Sequence, residues 1–124
     1  MVAIEVAARI GSMIIEIARA RGADEHALAR RAGFDPASAA GPDARIPIEI
    51  EDALWETAAE LVADPWFGLH ATAYLQPGAF DVLDYAVRTA PTVRAALDRL
   101  VRYNRLVHGA AVFHVEDRAD RVRI

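Results

Sequence analysis

The sequence predicts an α+β fold, predominantly helical, with a C-terminal antiparallel β-hairpin. Three observations carry that expectation. Apolar residues recur at helical spacing from about residue 3 to residue 107, interrupted by cap and turn residues. After Gly109 the period changes to two, in Ala111-Val112-Phe113-His114-Val115-Glu116 and again in Arg121-Val122-Arg123-Ile124. Asp117 to Asp120 supplies a turn between these runs. Two strands alone are marginal, so the hairpin is expected to pack on helices or to belong to a larger, truncated sheet.

The 124 residues suit one domain, with helices over about 3–107 and the hairpin over about 110–124. A hydrophobic fraction of 54% against 26% charged residues supports a real core and argues against disorder.

The elements follow in order. Ala3 to Arg21 reads as a helix stopped by Gly22. Its polar residues Glu5, Arg9, Ser12, Glu16 and Arg19 form one narrow stripe. A helix apolar elsewhere is either the central helix or also faces a second subunit. Asp24 caps a short helix through Arg31, ended by Gly33, and Asp35-Pro36 opens a further brief turn. Ile46 precedes a proline and is expected to be extended. Ile50, Leu54, Ala58 and Leu61 mark the apolar face of a helix over 48–63, whose Glu49, Glu51, Asp52 and Glu56 read as a solvated acidic face. Asp64-Pro65 starts the next helix, and Gln76-Pro77-Gly78 is a turn. One more helix runs from about Phe80 to Thr89. Thr92 then caps another through about Val107, with Val93, Leu97, Leu100, Asn104 and Val107 as its seam.

Composition excludes several functions. The net charge is -4, whereas nucleic-acid binders usually carry a basic face. No cysteine is present, so there is no disulfide framework and no zinc–thiolate site. The start lacks the pattern of a signal peptide, and no uncharged run reaches the ~20 residues of a membrane span. His26, His70, His108 and His114 lack zinc-motif spacing, Ser12 and Ser38 sit in no nucleophile elbow, and no glycine-rich phosphate loop occurs. We therefore expect no catalytic residues, no metal, no cofactor and no enzyme activity.

The aromatic residues carry more. Trp66, His70 and Tyr74 fall at i, i+4 and i+8, one side of a helix. Such a column either packs as core or walls an apolar pocket with polar tips. Asn104 lies on an otherwise apolar seam, where its amide needs either backbone carbonyls or a ligand. Tyr103 flanks it. Tyr85 and Arg88 lie on the preceding helix, where the arginine can sit on the surface or grip a ligand carboxylate.

Several segments taken together point to a family. They are Arg45-Ile46-Pro47, Asp64-Pro65-Trp66-Phe67-Gly68-Leu69, Phe80-Asp81-Val82-Leu83 before Tyr85, Pro91-Thr92 with Ala95-Ala96-Leu97, and Arg102-Tyr103-Asn104-Arg105-Leu106. In this order the chain resembles the N-terminal, arabinose-binding-type effector-sensing domain of AraC/XylS-type bacterial transcription regulators. Asp84 stands where relatives often carry glycine, which implies different packing around Tyr85. The resemblance implies a cytoplasmic sensor that binds a small effector, forms a homodimer and biases an attached helix-turn-helix reader. That reader is expected to lie outside these 124 residues, so the stretch itself is not expected to bind DNA. The candidate ligand site, read from the residues themselves, draws on Trp66, His70, Tyr74, Tyr85, Arg88, Tyr103 and Asn104. The alternative is a protein–protein interaction or dimerisation module without a small-molecule ligand.

Overall fold

Glu5–Ala7 is a strand, β1, where the sequence reading expected the first turn of a helix. It pairs antiparallel with Arg45–Pro47, β2, placing Val6 opposite Ile46. Pro47 forces Ile46 into extended backbone, and that exposed ladder offers β-branched Val6 a partner that a capless helix start lacks. Both side chains are buried. The computed structural model describes residues 2–124, which form two compact units, one up to Gln76 and one from Pro77. Among the described residues no helix is long and apolar enough to cross a membrane.

In the first unit, Ala8–Ala20 forms α1, Glu25–Ala32 α2 and Ile48–Val62 α3. No side chain caps α1. Instead the Ala8 N–H donates to the Ala44 carbonyl at 2.8 Å, so the approach to β2 satisfies the helix start. α1 contacts both α2 and α3 and buries Ile10, Ile14, Ile15, Ile17 and Ala18, more residues than any other helix of this unit buries. Glu16 and Arg19 remain exposed on the expected polar stripe. Gly11 lies under the Phe34 ring, where a Cβ would stand 2.6 Å from Phe34 Cε2. Asp24 caps α2 through the His26 and Ala27 N–H groups, and Gly33 closes it in left-handed backbone. Asp35 and Pro36 open a 3₁₀ turn over Pro36–Ala39.

The acidic face expected on α3 is only partly solvated. Glu51 is buried beside Leu54 and Ala58, and its Oε1 accepts the Trp55 indole N–H at 3.2 Å. The i,i+4 spacing brings donor to acceptor, which makes a carboxylate tolerable on the core side. After Ala63, Phe67–Ala71 forms the short α4, followed by a 3₁₀ turn over Thr72–Tyr74. Phe67 anchors α4 on α3, its ring 5.9 Å from that of Trp55.

In the second unit, Val82–Arg88 forms α5 and Val93–Tyr103 forms α6, continued by a 3₁₀ turn over Asn104–Leu106. Thr92 Oγ1 accepts the Ala95 N–H, as the sequence predicts for a cap. The α5–α6 pair is the main packing here, with Leu83, Asn104 and Val107 buried. Val93, expected on the seam, is exposed. It is the first residue of α6, where its side chain stands in solvent.

Glu116–Arg118, β3, and Arg121–Arg123, β4, form the antiparallel hairpin around a two-residue turn. The strand expected from Ala111 is shorter and begins at Glu116. The register Glu116↔Arg123 leaves residues 111–114 beyond the reach of β4. Their burial still alternates, with Val112 and His114 exposed and Phe113 and Val115 half-buried. The α+β class, predominantly helical with a C-terminal hairpin, thus describes the molecule.

Candidate functional site

The second unit carries a groove of about 390 Å³ between two helical stripes. Val82, Leu83, Tyr85, Ala86 and Thr89 line it from the α5 side, and Arg99, Tyr103 and Leu106 from the α6 side. Its volume falls in the roughly 300–1,000 Å³ range of small-molecule sites. Tyr85 and Thr89 are four apart, as are Arg99 and Tyr103, so each pair shares a helix face. Arg99 crosses between the helices. Its Nη1 donates to the Ala86 carbonyl at 2.7 Å and to Thr89 Oγ1 at 3.3 Å. Ala86 lies in the last turn of α5, where carbonyls lack intrahelical partners and a cation is favoured.

The neighbouring polar residues are committed to local structure. Asn104 Nδ2 donates to the Ala111 carbonyl at 2.8 Å. His108 Nδ1 accepts the Ala110 and Ala111 N–H groups. Together they fix the turn leaving the helix. Arg88 Nε donates to Asp84 Oδ1 at 2.7 Å, and the Gly78 N–H donates to Asp84 Oδ2. The Gly78 N–H, then the Arg88 guanidinium, hold the Asp84 carboxyl below its usual range. Aspartate before Tyr85 thus fastens the turn at Gly78 to α5, a bond glycine cannot make.

The first unit presents a different arrangement. Asp64 is buried and gathers three donors. His70 Nδ1 lies 2.7 Å from its Oδ2, Arg21 Nη1 lies 3.0 Å from the same atom, and the Trp66 N–H donates to Oδ1. A carboxylate only accepts, so His70 carries its hydrogen on Nδ1. The His70 bond, followed by the Trp66 N–H and the Arg21 guanidinium, outweighs burial and lowers the Asp64 pKa. Trp66 is 67% exposed, and Leu69 and Tyr74 are also exposed. Among the described residues no group of three or more histidine and acidic side chains is placed to hold a metal ion.

Of the seven residues singled out from sequence, Tyr85 and Tyr103 meet in the α5–α6 groove. Arg88 and Asn104 belong to the same unit and turn to Asp84 and Ala111. Trp66, His70 and Tyr74 lie in the first unit, with His70 turned to Asp64. Sequence reasoning missed Arg99 and Thr89. Each lies four residues from one of the two tyrosines, a spacing that does not by itself set a residue apart on an amphipathic helix.

The family model described as the arabinose-binding domain of AraC transcription regulators, N-terminal, matches residues 22–124. The chain belongs to this family of ligand-binding regulatory domains, which is not a family of enzymes. No curated protein matches it.

Proposed function

We propose that residues 1–124 act as one sensor domain of an AraC-type transcriptional regulator, binding a small effector in the α5–α6 groove. The observation that carries this reading is the placing of Tyr85 and Tyr103 on facing helical stripes inside the matched region. Two phenol rings, apolar walls and one guanidinium give a small molecule both surface to cover and polar groups to orient it. The effector biases the domain between two arrangements, and only its differential affinity for them shifts the balance. In the regulator a helix-turn-helix reader, outside this stretch, responds in the cytoplasm, and the sensor works as a homodimer.

A metabolite screen by thermal shift, followed by amide chemical-shift mapping, tests the reading. A binder of the folded state raises Tm. Its shifts are expected on α5 and α6, and Tyr85→Ala and Tyr103→Ala each weaken it about tenfold or more. A binder that maps elsewhere and ignores both substitutions refutes the groove.

One observation favours a protein-interaction module as the second reading. Val82, Tyr85, Val93 and Leu106 of the second unit are all exposed, and exposed apolar groups on one unit suit a partner surface. Sedimentation across a concentration series separates the readings, since a strict monomer argues against self-association.

A further inference from the structure

Of the eight groove-lining residues, Arg99 alone carries a formal charge. Its hydrogen bonds go to two neutral oxygens, both through Nη1. Among the described residues no carboxylate pairs with it. Other arginines of this unit differ: Arg88 is paired with Asp84, Arg94 with Asp117 and Arg121 with Asp120. Those pairs stand on the surface, where they contribute little. Arg99 is half-buried beside apolar walls, where a cation without a counter-charge is costly. With Nη1 anchored to α5, its Nε and Nη2 edge remains as a two-pronged donor, the geometry that receives a carboxylate side-on.

We propose that the groove takes a small organic carboxylate with an apolar body. The carboxylate docks on the Nε and Nη2 edge of Arg99, and the body lies against Val82, Leu106 and the rings of Tyr85 and Tyr103. The proposal rests on the ligand-sensing reading above and names its ligand class. It also moves the carboxylate reader from Arg88, which Asp84 occupies, to Arg99. The anchor to Ala86 and Thr89 holds the guanidinium before ligand arrives, so little ordering is left for binding to supply.

The test titrates the whole isotope-labelled chain with phenylacetate, cyclohexanecarboxylate and hexanoate, each beside its neutral amide, following backbone amides. Saturable shifts on α5 and α6 are expected from at least one acid, with its amide about tenfold weaker or more. Arg99→Gln is expected to erase the preference for acid over amide. Arg99→Lys, which keeps the charge but not the fork, retains part of it, and circular dichroism confirms that both variants fold. An amide that binds as well as its acid overturns the proposal, as does Arg99→Gln with acid binding unchanged. If all three acids fail while a neutral metabolite from the screen shifts these amides, the carboxylate is overturned and ligand sensing stands. If the screen is silent as well, both fall.

Discussion

The Arg21 guanidinium lies 3.0 Å from the Asp64 carboxylate, joining the C-terminal end of α1 to the turn between α3 and α4 across 43 residues of sequence. Asp64 also holds His70 of α4 and the Trp66 N–H. This buried carboxylate thus joins the Phe67 ring in holding α4 in place. Asp64→Asn removes the charge that collects these donors and is expected to lower Tm, whereas Glu60→Gln, at the exposed pair with Arg31, leaves Tm nearly unchanged. The pH dependence has a definite sign. The Asp64 pKa is lowered from 3.8 in the folded chain, with His70 the largest cause. The folded state then binds the proton less readily than the unfolded state, so this contribution is present above the ordinary carboxyl value. It drains away as pH falls through the lower native value. Urea unfolding of both proteins at about pH 7 and about pH 3 should show the gap between them closing in acid. A gap that stays constant refutes the assignment.

Gly11 offers a test of how α1 packs. In an exposed helix, glycine to alanine stabilises by about 1 kcal/mol. Here the new methyl meets Phe34 Cε2 at 2.6 Å and Leu54 Cδ1 at 3.1 Å, and both side chains are buried. The close approach decides the sign, so Gly11→Ala is expected to destabilise by about 1–3 kcal/mol. Phe34→Leu in the same chain should recover part of the loss, because it clears the contact. Denaturant midpoints of the two single variants and the double variant measure the coupling.

The sequence made α2 and α6 readable because caps and period agree there, and α3 by its period alone. Asp24, Gly33 and Thr92 mark helix ends through bonds that depend on nearby residues alone. Val6 and Ile46 are 40 positions apart, and no local signal announces that the chain brings them together; the pairing therefore overrode a helical period that began at Ala3. The hairpin was legible as a motif, but its register follows the turn at Ala119-Asp120, which the alternating pattern does not locate. The site behaved similarly. Tyr85 and Tyr103, which line the groove, stand out in the sequence because they are aromatic. Arg99 was missed because a lone arginine on an amphipathic helix resembles any solvated charge until its bond to the Ala86 carbonyl is known.

Asn104 separates structural from ligand-orienting amides. Its Nδ2 donates to the Ala111 carbonyl at 2.8 Å, and the side chain is buried. Asn104→Ala leaves that acceptor without its partner and is expected to destabilise by about 1–3 kcal/mol. The change should appear as faster amide exchange over residues 105–111, where His108 holds the same turn. Affinity for a groove ligand is expected to fall only as far as that turn loosens. A variant with native exchange and abolished binding would return Asn104 to the ligand.

Ala63 predicts a gain. It closes α3 with φ 55, left-handed backbone that Gly33 adopts at the end of α2. For a residue with a Cβ that conformation costs roughly 1–2 kcal/mol. The Asp64 N–H donates to the Ala59 carbonyl at 2.9 Å, so the helix end is fixed by the bond that also delivers Asp64 to Arg21 and His70. Glycine adopts the turn without strain but adds freedom to the unfolded chain, worth about 0.4–1 kcal/mol in the other direction. The balance favours Ala63→Gly by about 0.5–1 kcal/mol, with the Asp64 contacts unchanged. A raised urea midpoint with an unaltered slope is the expected result. A lowered midpoint would mean that the Asp64 hub, and not the backbone of residue 63, sets the geometry of the helix end.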